Sequence, residues 1–291
     1  MDSSRIRQCF FYGLLERQEE RDEIVNRRAE AMDRQEGRLR YWIEGPEDAP
    51  VVVMVHGATL DHHMFDPQVT ALVGLYRVIR VDLPGHGASR PAPATFSVAS
   101  LAQDLLAVLQ AEGITRVALV GQSMGGDLCQ EFLLQFPEMV DRMALIGCVP
   151  VTRSAGSVGG LFARWAVMKL RLVPLARFRQ QVVDCSAVKP QSREYARECI
   201  GRMTRAELVA TWRAIASTPH EQADYRLPCP TLMIVGEQDA VGGGWVRETA
   251  LRWAEQEPRA RLATIPAAGH IANLDAPHAV NDALQEFLGE A

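Results

Sequence analysis

The sequence predicts an α/β protein, a mostly parallel sheet flanked by helices and interrupted once by an inserted helical unit. Three observations carry that prediction. Short, continuous runs of β-branched and apolar residues such as Val51-Val-Val-Met-Val55 recur along the chain, and a strand that is apolar on both faces is one covered on both sides in a parallel sheet. Helical stripes lie between these runs, and strand–helix alternation of this kind builds right-handed crossovers. The alternation stops after Cys148-Val149-Pro150 and resumes only at Pro230-Thr231-Leu232.

Residues 3 to about 33 are rich in Arg and Glu, with Phe10, Phe11, Leu14 and Leu15 as apolar positions. They predict an opening helix, and Asp22 to Asp33 leave open whether a first strand has already begun. Gly37 marks a turn, Arg38 to Ile43 alternate polar and apolar residues as a strand does, and Gly45-Pro46 ends it. Buried strands are predicted at Val51–Val55, Val78–Val81, Val117–Val120, Met143–Ile146 and Leu232–Val235, with Leu262–Ile265 as the last. Val98 to Glu112 sets Leu101, Leu105, Val108 and Leu109 on one helical stripe, and a second helix runs through Leu128 to Phe136. Residues 151–220 hold helix-length amphipathic pieces (Leu161–Leu172, Glu194–Met203, Arg205–Ser217) and no buried strand, which reads as a helical cap. The domain reading is therefore a core of residues 1–150 and 221–291, in which residues 1–30 are a helical extension, and a cap of residues 151–220.

Composition sets the class. A chain of 291 residues that is 47% hydrophobic and 23% charged can bury a large core. No stretch reaches the roughly 18 uninterrupted apolar residues of a membrane span, and Met1 to Arg7 lack the apolar core of a secretory signal, so a cytoplasmic protein is expected. The six cysteines are scattered without a CxxC pair, which points to buried thiols in a reducing compartment rather than to disulfides or zinc. Charge is uneven. Residues 151–219 carry twelve Lys and Arg against four Asp and Glu, a surplus of eight in a chain whose net charge is −5. That contrast marks a unit with its own surface.

The chemistry gathers at strand ends. Gly121-Gln122-Ser123-Met124-Gly125 follows a buried strand directly and opens a helix. Glycines on either side of the serine allow a sharp strand-to-helix turn that exposes its oxygen, so Ser123 is read as a nucleophile. The same turn points the Met124 N–H into the site near the positive end of the helix. His56-Gly57-Ala58 ends the Val51–Val55 strand, and the Ala58 N–H is expected to complete a two-donor oxyanion hole with that of Met124. Asp239 follows the buried Leu232–Val235 strand and His270 the predicted last strand, positions where catalytic groups of parallel sheets collect. The order Ser123, Asp239, His270 is that of a hydrolase triad, with His270 as base and Asp239 fixing its tautomer. Glu237 and Asp275 are weaker candidates for the acid, the latter read as an ordinary acidic residue at a helix start. His56 and His86 lie in glycine turns and are expected to hold loops. His220 follows the cap and His278 opens the last helix. Asp61-His62-His63 is read as a solvated helix start rather than a metal site, because three adjacent residues rarely converge on one ion.

These motifs resemble the α/β-hydrolase superfamily. The resemblance rests on His56-Gly57, Asp82-Leu-Pro-Gly-His-Gly-Ala-Ser89, Gly121-Gln-Ser-Met-Gly-Gly126, Gly236-Glu-Gln-Asp239 and Gly269-His270, and covers residues 36–150 and 221–290. It implies the α/β-hydrolase fold, with an eight-stranded sheet and an inserted cap. Within the superfamily, Phe65-Asp-Pro-Gln68 and the run from Asp82 to Ser89 are similar to small bacterial carboxylesterases, the cluster that includes 3-oxoadipate enol-lactonases and cofactor-free haloperoxidase-type esterases. Serine at position 123 departs from haloalkane dehalogenases and epoxide hydrolases, which use aspartate there. The loop after Gly57 lacks the proline of perhydrolase-type members and the H-G-x-G-P-G pattern of carbon–carbon bond hydrolases.

The expected activity is hydrolysis of a carboxylic ester or lactone through an acyl-enzyme on Ser123, with no metal and no cofactor. Thioester or carbon–carbon bond cleavage by the same triad is the second reading, and a receptor-like ligand-binding protein the third. The expected partner is a small-molecule ester, lactone or thioester, with no nucleic acid and no membrane span; a homodimer stays open. The basic cap either selects an anionic acyl group or, as solvated helix faces usually do, simply meets water, and the second is favoured. Trp165, Met168, Met203 and Trp212 either line an acyl pocket or hold the cap onto the core.

Overall fold

The computed structural model describes residues 32–36, 38–152, 158–218, 222 and 224–290. The expected opening helix, like His220, lies outside the described residues. Eight strands form one sheet: β1 (Met32–Glu36), β2 (Leu39–Glu44), β3 (Val51–Val55), β4 (Arg77–Asp82), β5 (Val117–Gln122), β6 (Val140–Ile146), β7 (Thr231–Gly236) and β8 (Ala260–Ile265). Their order is β1-β2-β4-β3-β5-β6-β7-β8. The β1–β2 and β2–β4 pairs are antiparallel and all later pairs are parallel.

The continuous apolar strands are buried on both faces, as their composition requires. In β3, Val53 and Val55 pack into one core cluster, while Val52 and Met54 pack into the other. The first cluster lies under α2 (Val98–Ala111) and α3 (Met124–Gln135); the second takes in α1 (Asp66–Leu72) and the last helix, α10 (Pro277–Gly289). Local signals set the ends of helices. Ser97 and Ser100 form a reciprocal capping box at the start of α2, which satisfies two backbone N–H groups that the helix itself leaves free.

Between β6 and β7 come four helices: α4 (Val158–Leu172), α5 (Leu175–Ser186), α6 (Pro190–Arg202) and α7 (Arg205–Ala216). Sequence periodicity indicates α4, α6 and α7 but passes over α5. Only Phe178 and Val183 of α5 are buried, so its apolar stripe is narrow and its Arg- and Gln-rich faces mask it. After β7 the chain forms α8 (Trp245–Gln256), and after β8 a short α9 (Ala272–Asp275) leads into α10. Among the described residues no helix is long and apolar enough to cross a membrane.

One consequence of this topology positions the site. From β3 the chain crosses first to β4 on one side, then to β5 on the other. Where strand order reverses, the loops after β3 and β5 part and leave a crevice at the carboxyl ends of the strands. Ala58 follows β3 and Ser123 follows β5, so both stand at that crevice.

Candidate active site

Ser123 occupies the junction of β5 and α3 with φ 50° and ψ −118°. This conformation is unfavourable for any residue with a Cβ. It is held by its surroundings. The Ser123 N–H donates to the Ile146 carbonyl at 2.9 Å, and the Asp127 N–H closes the first helical turn onto the Ser123 carbonyl at 3.0 Å. Gly125 allows α3 to start hard against the end of β3, since a Cβ there would fall 2.1 Å from the Val55 carbonyl oxygen. Although Ser123 stands at the N-cap position, its side chain makes no capping hydrogen bond. The oxygen is therefore not spent on the helix.

His270 and Asp239 come from the loops after β8 and β7. His270 Nδ1 lies 2.8 Å from Asp239 Oδ2, and both side chains are buried. The second Asp239 oxygen accepts the Val241 N–H at 2.9 Å, which leaves Oδ2 for the imidazole. The Gln122 amide donates to the His270 carbonyl at 3.2 Å, tying the histidine loop to the strand that carries Ser123. Gly147, at φ 61°, passes so close to the imidazole that a Cβ there would lie 2.8 Å from Nδ1.

Ser123, His270, Ala58 and Met124 line one cavity of about 380 Å³. Among the described residues neither the Ala58 nor the Met124 N–H is taken by a hydrogen bond. Met124 is the first residue of α3, where the helix offers its N–H no internal partner.

A model described as the Alpha/beta hydrolase family matches residues 52–283. The chain belongs to this family. Over 113 residues it is 36% identical to the magnesium-chelatase 30 kDa subunit of Rhodobacter capsulatus, a match that spans 38% of this chain and only 40% of that protein. It is 30% identical over 248 residues to the pimeloyl-[acyl-carrier protein] methyl ester esterase of Nitrosomonas europaea, covering 81% of this chain and 94% of the relative. The solved structure of a thermophilic esterase from Thermogutta terrifontis is similar at 25% identity, with a TM-score of 0.75 and coverage of 86% of this chain and 92% of that one. Family and fold, together with its esterase-type neighbours, support a hydrolase.

The far wall of the cavity in this α/β hydrolase comes from the four inserted helices. Trp165 and Trp212 line it. Met168 and Met203 do not. At about 100° per residue, Trp165, Ala166 and Lys169 share one face of α4 and Met168 falls off it; exposure does not separate the two, since Trp165 is 53% and Met168 42% exposed. Met203 follows α6 and is buried within the second core cluster. Sequence reasoning missed Phe178, whose ring meets Trp212 edge to face at 6.1 Å. The signal was present: Phe178, Val182 and Cys185 all line the cavity at helical spacing along α5.

The loops that carry the site are fastened by buried polar groups. His56 Nε2 accepts the Leu83 N–H at 2.9 Å while Nδ1 lies 2.8 Å from the Gly57 carbonyl, so the ring is neutral with its proton on Nδ1. Burial holds its pKa below the usual value. Burial pushes His86 further, down to about 3. For Asp82 burial acts upward, but hydrogen bonds from His62 and Ala88 outweigh it and hold the carboxyl below its usual range. Asp61-His62-His63 does start a short 3-10 helix, with Asp61 as its N-cap and His63 exposed, but the start is not solvated throughout. Asp61 and His62 are buried, and His62 stacks on Trp42 at 3.5 Å and reaches Asp82 at 3.0 Å. Among the described residues no group of His, Cys, Asp and Glu is arranged to hold a metal ion. Asp275 does not start a helix either. It ends α9, and its carboxylate accepts the N–H groups of Val188, Lys189 and Gly269 at 2.8–2.9 Å. It thereby ties the α5–α6 connection to the residue preceding His270.

Proposed function

We propose that this protein hydrolyses carboxylic esters, lactones included, through an acyl-enzyme on Ser123. The observation that carries the reading is the His270–Asp239 pair, 2.8 Å apart, sharing one cavity with a serine whose oxygen no helix cap occupies. With its Nδ1 proton donated to Asp239, His270 presents Nε2 as a base. That nitrogen takes the Ser123 proton as the serine oxygen attacks the ester carbonyl, and Asp239 stabilises the imidazolium that forms. Negative charge develops on the carbonyl oxygen, where the Ala58 and Met124 N–H groups donate; losing one such donor costs about 10²–10³ in rate. Collapse expels the alcohol, protonated by His270, and water then attacks the acyl-enzyme with His270 again as base. No step in this sequence calls on a metal or cofactor.

The helices of residues 151–220 act in this reading as a cap that shapes the acyl pocket, with Trp165 and Trp212 in its wall. The esterase names of the Nitrosomonas europaea and Thermogutta terrifontis relatives support an ester as substrate. Hydrolysis of p-nitrophenyl acetate and butyrate is the test, with Ser123→Ala as control. The wild type is expected to turn over, Ser123→Ala to lose nearly all activity, and a fluorophosphonate to label the wild type only. Absence of both hydrolysis and labelling in the wild type would refute the proposal.

A further inference from the structure

The turn that carries Ala58 is strained. The Leu60 N–H closes it onto the Gly57 carbonyl at 3.3 Å, and within it the buried Thr59 sits at φ 69°. A β-branched residue holds such a backbone only where its surroundings impose it. One side of that hold is His56, whose ring bonds to Gly57 and Leu83. The other is the buried Asp61, and the inserted helices make it. Tyr195 Oη donates to Asp61 Oδ1 at 2.7 Å and lies 3.1 Å from the Asp61 carbonyl. The Cys199 thiol reaches Asp61 Oδ2 at 3.5 Å, and Arg202 stands 3.7 Å from the same oxygen. Tyr195, Cys199 and Arg202 are spaced i, i+4 and i+7 on α6, so one face of that helix meets the loop after β3. From its own loop the carboxylate receives the His63 N–H at 3.1 Å. The start of α6 is fixed as well: Asp275 holds the Val188 and Lys189 N–H groups, and the Ile271 N–H donates to the Ser186 carbonyl at 3.0 Å. One helix thus braces the loop of His270 and the loop of Ala58 together.

We propose that Tyr195 is a positioning residue for the oxyanion hole, holding through Asp61 the strained turn that presents the Ala58 N–H. The proposal rests on the serine-hydrolase reading above, in which that N–H is an oxyanion donor. Attachment of the inserted helices does not require the bond. They are already joined to the core by the Arg90–Glu207 pair, with two hydrogen bonds of 3.0 Å, by Asp275, and by Ala196, Ile200 and Leu208 in the second core cluster. Tyr195 instead directs a charge-assisted hydrogen bond, stronger than a neutral one, at the residue three positions beyond Ala58. An oxyanion donor works only when it is fixed before the charge develops, since it must not reorganise at the moment of reaction. A strained turn left untied on one side can relax, and its N–H then turns away from the place where the oxyanion forms.

Tyr195→Phe tests this, because it keeps the ring that packs against the second core cluster and removes only the hydroxyl. On p-nitrophenyl butyrate its kcat/KM is expected to fall about tenfold, a part of the roughly 10²–10³ that loss of a whole oxyanion donor costs. Inhibition by hexyl trifluoromethyl ketone, which adds to the serine and sets its oxygen in the hole, should weaken by the same factor. Inhibition by hexyl methyl ketone, bound without addition, should not change. A tyrosine that merely fastened the cap would leave this difference between the ketones untouched. The loss should also run through Asp61: in an Asp61→Ala background, Tyr195→Phe should cost less than about twofold more, since residues of one network are not additive. The ketone pair decides on Tyr195→Phe alone if Asp61→Ala does not fold. Wild-type kcat/KM in Tyr195→Phe, a loss that the trifluoromethyl ketone does not follow or the methyl ketone shares, or the same loss repeated without Asp61 overturns the proposal and leaves the hydrolase reading intact. If the wild type hydrolyses no ester, the hydrolase reading fails and this proposal fails with it.

Discussion

The backbone at Ser123 makes a prediction whose sign is diagnostic. At φ 50° and ψ −118°, a residue bearing a Cβ is strained by on the order of 1–3 kcal/mol, whereas glycine is not. Glycine in turn costs about 0.5–1 kcal/mol through the freedom it adds to the unfolded chain. Ser123→Gly and Ser123→Ala both delete an oxygen that makes no capping hydrogen bond, so the difference between them isolates the backbone. The glycine variant is expected to be more stable than the alanine variant by about 1 kcal/mol, the reverse of the usual order in regular structure. Reversible urea unfolding followed by tryptophan fluorescence measures it, compared at equal slope so that the midpoint shift reports stability. Both variants should be inactive on p-nitrophenyl butyrate, which separates fold from function. A glycine variant less stable than alanine by 0.5 kcal/mol or more, about the ordinary glycine penalty, would refute the strained turn.

Three further outcomes follow from the geometry. Asp275→Ala strands the N–H groups of Val188, Lys189 and Gly269, of which that of Gly269 is buried and the other two are part-buried; with about 1–3 kcal/mol for the buried group and less for those that water can reach, a loss on the order of 2–3 kcal/mol should appear in urea unfolding, and a loss under about 1 kcal/mol would contradict the tie. Gly147→Ala sets a Cβ against the His270 ring at a backbone of φ 61°, so kcat for p-nitrophenyl butyrate should fall by about 100-fold or more, the scale of a roughly 1 Å misplacement; near-wild-type kcat would show that the ring has room to spare. His86 titrates at about 3 in the folded chain and near 6.5 when unfolded. Its folded pKa is depressed, so the unfolded state binds the extra proton and stability falls as pH drops from 6.5 toward 3. His86→Gln should flatten that part of a stability-versus-pH curve, and an unchanged curve would remove His86 from the account.

The amino-acid sequence alone determined the parallel strands and the order of the candidate triad. Val51–Val55 and Leu232–Val235 are apolar on both faces, and only a sheet covered on both sides accommodates that. Gly121, Ser123 and Gly125 likewise encode a turn that only small neighbours permit. What the tertiary structure decided is which face of each element meets which other. Periodicity shows that α4 is amphipathic, but which of its residues line the cavity, Trp165 and not Met168, depends on how the inserted helices pack on the core. Asp61 and His62 carry every local mark of a solvated turn, yet Trp42 and Asp82 cover His62, and Tyr195 and Cys199, distant in the chain, cover Asp61. Asp275 has the local look of an N-terminal acid, but the α5–α6 connection brings it backbone donors from some 87 residues away. Local propensity is a property of neighbours in sequence, while burial, and with it the chemistry of a buried acid, is a property of neighbours in space.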